Sequence, residues 1–188
     1  MKTFRIAPSV LTAAALLLAT PAMANTQDNE PGWFDTAWQN VNEIWDTGDT
    51  ELYVPFLTYH MRWAYRDDLI QKYNEFPAGL GLGKARYNDK GNWESIYAMG
   101  FADSHNKPSF MVGYAWAPTW DLGNDFKAGV GLTGFLMTRT NEFNGFPFPG
   151  ILPIASISYK QLAIQASYVP GGQNNGNVLF MWGKWTFK

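Results

Sequence analysis

The stretch LYVPFLTYHMRWAY, residues 52–65, decides how the chain is read. Its β-branched and aromatic content is that of a strand. A tilted strand needs only about 9–11 residues to cross a bilayer, and this one is long enough. Two of its residues do not suit a plain membrane wall. Pro55 lacks the N–H that a ladder uses, and His60, followed by Arg62, brings ionisable groups to the edge of an apolar segment. By period-two alternation Tyr53, Leu57, Tyr59, Met61, Trp63 and Tyr65 share one face, which we assign to lipid.

The same texture continues along the chain. Eight strands are expected, at about 50–65, 76–88, 92–102, 109–121, 126–140, 150–160, 162–170 and 177–187. Tight links such as Asn88-Asp89-Lys90-Gly91 and Lys160-Gln161 alternate with longer ones such as Arg66–Glu75 and Asn141–Gly150. An even strand count with short turns at one end and long loops at the other is the pattern of an outer-membrane barrel. The expected fold is therefore all-β: an eight-stranded antiparallel transmembrane β-barrel preceded by an N-terminal amphipathic α-helix. That helix, about 31–46, follows from Phe34, Ala37, Trp38, Val41 and Trp45 at spacings of three and four. It either lies in a membrane interface on its tryptophans or packs against a core.

Before the helix, Lys2 and Arg5 precede an apolar run and Ala22-Met23-Ala24, which read as a signal peptide over residues 1–24. The remainder, 25–188, reads as one domain. With 16 acidic residues against 14 basic ones, two of which leave with the leader, the chain offers no footprint for nucleic acid. It has no cysteine, which excludes disulfides and thiolate metal sites.

Three strands set large residues against small ones: Leu80 and Leu82 against Gly79, Gly81 and Gly83; Tyr114 against Gly113 and Ala115; Val130 and Leu132 against Gly129 and Gly131. An eight-stranded barrel is just wide enough to be filled by its own side chains. Small inward faces then imply either an unfilled slot suited to an alkyl chain or close backbone packing. Chemistry is expected at the outer rim. Strands one and three both run outward, which brings His60, Asp103 and Ser104 together, the components of acyl transfer. His105 is a rival base. Both Asp103 and Ser104 can point inward only if a loop begins there. Pro55, Pro77, Pro153 and Pro170 fall in two adjacent-strand pairs, so gaps in the ladder are expected between strands one and two and between six and seven.

Tyr53-Val54-Pro55…Thr58-Tyr59-His60-Met61-Arg62, Tyr73-Asn74-Glu75…Pro77, Lys90-Gly91-Asn92-Trp93, Tyr97-Ala98-Met99, Asp103-Ser104…Asn106-Lys107 and Asn174-Asn175-Gly176-Asn177-Val178 together resemble the outer-membrane lipid A palmitoyltransferases. The resemblance is collinear over most of the mature chain. It implies transfer of a fatty acyl chain, palmitoyl or slightly shorter, from the sn-1 position of a glycerophospholipid donor to a lipid A acceptor in the bacterial outer membrane, without metal or cofactor. It implies His60, Asp103 and Ser104 as catalytic, Pro55 with Pro77 and Pro153 with Pro170 as lateral gates, Glu94 in acceptor recognition, and Trp45 with Arg86 as a cation–π clamp on the helix. The family's acyl-pocket floor, a Gly in its best-known member, is Ala115 here, and a phospholipid-gating Tyr is replaced by Gln173. One methylene in a pocket is worth about 1–3 kcal/mol of discrimination, so Ala115 should shorten the accepted chain. The oligomeric state, a homodimer included, stays open. The alternative class is a non-catalytic barrel that binds lipid or lipopolysaccharide.

Overall fold

The computed structural model describes residues 32–140 and 145–188, so the expected leader lies outside the described residues. Helix α1 (Trp33–Thr47) leads into β1 (Asp49–His60). A short α2 (Asp67–Ile70) precedes β2 (Gly79–Tyr87) and β3 (Trp93–Ala102). Then come β4 (Pro108–Ala117), β5 (Thr119–Gly123), β6 (Phe126–Arg139), β7 (Phe148–Tyr159), β8 (Leu162–Val169) and β9 (Val178–Phe187). The β4 and β5 segments both pair with β6 and are one stave interrupted at Pro118, which has no N–H to give. Every stave is antiparallel to its neighbours, and the β1–β9 and β4–β6 ladders close the sheet into an eight-stranded barrel. Leu80, Leu82, Val112, Val130, Leu132 and Ile157 stand outward and exposed, as the lipid face of such a wall requires.

The first strand departs from its expected phase. Glu51, Tyr53 and Pro55 point inward, and so do Thr58 and His60. An odd-numbered run thus becomes an even-numbered one, and the change falls at a register shift between Pro55 and Leu57. This bulge corrects the assignment of Tyr53 to lipid: it is 2% exposed inside the barrel, while Leu57 and Tyr59 keep the outward face. The strand also stops at His60 rather than running to 65. Residues 61–65 form a turn there, so Tyr65 packs back over His60 and Trp63 projects outward, 74% exposed.

Both expected gaps in the ladder are present. The β1–β2 pairing ends at Tyr53–Gly81, and above it the Thr58 N–H donates instead to the Glu75 carbonyl, 2.8 Å away. The β7–β8 pairing ends at Ile154–Ser167, and the Pro153 carbonyl accepts from Ser167 Oγ at 2.9 Å. The helix corrects another expectation. Among its described side chains, Ile44 is fully buried against the barrel and Glu43 ion-pairs with Arg86 on β2. Trp38 and Trp45 are 67% and 63% exposed, and the partners of Arg86 are Glu43 and Glu94 rather than the Trp45 ring.

Candidate active site

The barrel encloses a cavity of about 280 Å³ that opens at the loop end. Its middle is apolar, lined by Met99, Phe101, Met111, Phe135, Ile154 and Phe180, so it can take a hydrocarbon chain but gives water little to bind. The glycines of the strands do not line it. A Cβ on Gly83 would meet the Tyr53 ring at 2.9 Å, and one on Gly113 would meet the Tyr97 hydroxyl at 2.6 Å. Gly83 and Gly113 therefore make room for two tyrosines, the close-packing alternative, while Ala115 and Thr133 are among the smaller residues that line the open space.

The cavity is closed below by a polar layer. Tyr53 donates to Glu51 at 2.6 Å and lies 2.7 Å from Ser95 Oγ. Trp93 and Thr186 also donate to Glu51, and Lys184 ion-pairs with it. Trp182 donates to Gln165 at 2.8 Å beside them. Ala115 sits opposite Ser95 in the β3–β4 register, 3% exposed, at the level of this layer.

The mouth carries the polar chemistry. His60 is 3% exposed and its Nε2 lies 3.1 Å from Ser104 Oγ. The imidazole stacks on Tyr73 at 4.7 Å between centroids and meets the edge of Tyr65 at 5.0 Å. The Ser104 main chain is held by Asn74, whose N–H donates to the Ser104 carbonyl at 2.8 Å. Since β3 ends at Ala102, a loop does begin at Asp103, and both Asp103 and Ser104 line the mouth.

The Asp103 carboxylate is engaged by its own loop and by Arg139, not by His60. Its Oδ1 accepts the N–H groups of His105 and Lys107 at 2.9 and 2.8 Å, and its Oδ2 pairs with Arg139 at 3.1 Å. Burial works to raise its pKa, but those donors and the Arg139 charge outweigh burial and hold it below the ordinary carboxylate value. Asp103 thus closes the tight loop that carries Ser104. The carboxylate that does reach the imidazole is Glu75, with Oε1 3.2 Å from His60 Nδ1. Burial raises Glu75, yet hydrogen bonds from Arg62, the His60 backbone N–H and the His60 ring bring it down to about 2. Sequence reading placed Glu75 in a motif but gave it no task; the signal was its position just before Pro77, where a gap in the ladder lets the loop fold onto β1.

The other expected positions are dispersed. Pro55 and Pro77 are both fully buried beside the first gap, and Pro153 and Pro170 flank the second. Gln173 is exposed on the β8–β9 loop, while its neighbours Asn174, Asn175 and Gly176 line the mouth. His105 is exposed there, edge-on to Tyr73 at 5.2 Å. Glu94 lies at the opposite end of the barrel. It faces α1, is 5% exposed, and is tied to Arg86 at 3.3 Å and to Asn88 at 2.8 Å. The geometry gives it a part in holding the helix and none at the mouth.

Comparison with known proteins agrees with this architecture. Residues 40–184 match the family described as "Antimicrobial peptide resistance and lipid A acylation protein PagP". A lipid A acyltransferase PagP of Methylobacillus flagellatus is 44% identical over 169 residues, 89% of this chain and 89% of that one. One of Laribacter hongkongensis is 47% identical over 155 residues, covering 82% and 75%. One of Bordetella parapertussis is 42% identical over 174 residues, covering 93% and 96%. A barrel with a docked N-terminal helix, a hydrocarbon-sized cavity and a His–Ser pair at its mouth is joined by identity over nearly the whole chain: the protein belongs to the PagP family of lipid A acylation proteins, in the outer membrane.

Proposed function

We infer that this protein moves a fatty acyl chain from the sn-1 position of a glycerophospholipid to a hydroxyl of lipid A. The observation that supports this most is Ser104 Oγ 3.1 Å from His60 Nε2 at the mouth of a cavity whose interior is apolar. A chain lodged in the cavity would leave its ester carbonyl at the mouth, within reach of that pair. Holding ester, hydroxyl and base together converts a multi-body encounter into a local one. His60 takes the proton of the attacking hydroxyl, directly from lipid A or through Ser104. The hydroxyl oxygen bonds to the carbonyl carbon, the bond to the glycerol oxygen breaks, and the proton passes from His60 to that oxygen. One ester is exchanged for another, and lysophospholipid leaves.

The two gaps in the ladder fit the roles of lateral gates, through which lipid enters from the membrane. A chain that moves from bilayer to barrel gains little from burial, because both surroundings are apolar. Choice of chain length then rests on fit at the closed end, where Ala115 lies. The test is expression in a host of known lipid A structure, followed by mass spectrometry of the extracted lipid A. One added acyl chain, absent with His60→Ala and strongly reduced with Ser104→Ala in folded barrels, is the expected result. Unchanged lipid A with the wild-type chain would point to the non-catalytic lipid-binding barrel instead.

A further inference from the structure

We propose that Glu75 is the positioning carboxylate of this site, the group that orients His60 and balances the charge it acquires when it takes a proton. The inference rests on the reading of His60 as the base. Three observations carry it. First, Oε1 of Glu75 meets both ends of the histidine's own amide and ring, 3.0 Å from the backbone N and 3.2 Å from Nδ1. Second, the carboxylate is locked from behind: Arg62 forks it, with Nη1 donating to Oε1 at 2.8 Å and Nη2 to Oε2 at 2.7 Å. Third, the main chain of Glu75 is pinned to the same strand, since the Thr58 N–H donates to its carbonyl at 2.8 Å.

An ionised carboxylate only accepts hydrogen bonds. The ring nitrogen beside it must therefore carry hydrogen, which fixes Nδ1–H and leaves Nε2 with its lone pair toward Ser104. When Nε2 takes a proton, the positive ring faces a negative group already in place. This is the arrangement of hydroxyl, imidazole and carboxylate that recurs in acyl transfer, recognised by geometry and not by order in the chain. Asp103, which stands beside Ser104 in sequence, is occupied by the N–H groups of its own loop and by Arg139. The other groups facing His60 are Arg62, the rings of Tyr65 and Tyr73, and His105 and Ser104 from the β3–β4 loop.

The test uses the full chain in mixed micelles of phosphatidylcholine of mixed chain length and lipid A, with folding read from heat-modifiable migration. Glu75→Gln keeps the size and loses the charge. It should lower kcat about 10–100-fold with little change in KM, and move the acid limb of the kcat profile down by about one pH unit, because an imidazolium without its counter-charge releases its proton more easily. Glu75→Asp keeps the charge and should retain the wild-type limb. Arg62→Met removes the opposing charge and should move the limb upward, which keeps a sign to measure if Glu75→Gln does not fold. A wild-type kcat and limb in Glu75→Gln, or a loss confined to KM, would overturn the role of Glu75. So would limbs that fail to move upward in Arg62→Met. His60→Ala separates the two readings: if it is inactive while Glu75→Gln is normal, only the Glu75 inference fails, and if His60→Ala is fully active, the assignment of the base fails with it.

Discussion

At the scale of single residues, the structure separates groups that sequence order places side by side. Asp103 and Ser104 are neighbours in the chain, yet only Ser104 reaches His60, while the carboxylate at the other ring nitrogen comes from Glu75, 15 residues after the histidine. Sequence order could not show this, because which loop folds onto a rim depends on gaps in the ladder below. Ala115 was legible as an exception to a pattern, and its position opposite Ser95 gives that exception a physical consequence. Its methyl occupies space at the closed end of the cavity, beside a polar layer that cannot recede. Ala115→Gly should let the cavity take a chain longer by about one methylene, a preference worth about 1–3 kcal/mol, roughly a 10–200-fold change in relative rate. Competition between donors of graded chain length, read by mass spectrometry of the product, measures the shift. An unchanged length profile would mean that another residue ends the cavity.

At the scale of elements, the instructive feature is the bulge in β1. Strict alternation puts Tyr53 and Leu57 on one face, and that is how the strand reads in sequence. One extra residue between Pro55 and Leu57 turns the phase over, so that Tyr53 below and His60 above both face inward. Bulges near active sites re-aim side chains in this way. The proline is legible, but the residue count it imposes is a property of the paired strands. The helix shows the same limit: its aromatic stripe was visible, but the small contact that docks it, Ile44 with Glu43 against Arg86, depends on which side meets the barrel. The gaps that the prolines mark give the proposed lateral entry of lipid a test. Replacing both Pro55 and Pro77 by Ala restores two N–H donors beside the first gap and gives β1 and β2 the means to zip further up. Transfer from phospholipid in vesicles should then fall several-fold, while hydrolysis of a short ester dispersed in water, which reaches the mouth directly, should not change. Equal losses on both substrates would mean that the prolines shape the site and not a gate.

At the scale of the whole molecule, the barrel is open at one end and sealed at the other, and only the open end was visible in the sequence as chemistry. Strand count, alternation and turn lengths carry an outer-membrane barrel on their own, because closure and lipid exposure impose a repeating pattern. The seal carries no pattern. Glu51 and Lys184 are 133 residues apart and meet only because the first and last strands pair. The pair is nearly dry, with side chains 2% and 7% exposed, and Glu51 also accepts from Tyr53, Trp93 and Thr186. Breaking a buried pair from one side leaves a charge with no water to solvate it, which costs about 3–5 kcal/mol, whereas removing both charges is often neutral. Lys184→Met should therefore lower the stability of the barrel strongly in urea unfolding from phospholipid vesicles, and adding Glu51→Gln should recover most of the loss. The double variant should also keep the wild-type chain-length profile, since Tyr53, Ser95 and Ala115 still mark the closed end without the charges. A single variant as stable as wild type would mean that water reaches Glu51 from the turn end and that the seal is solvated; a double variant that accepts longer chains would mean that the ion pair, and not Ala115, sets the depth of the cavity.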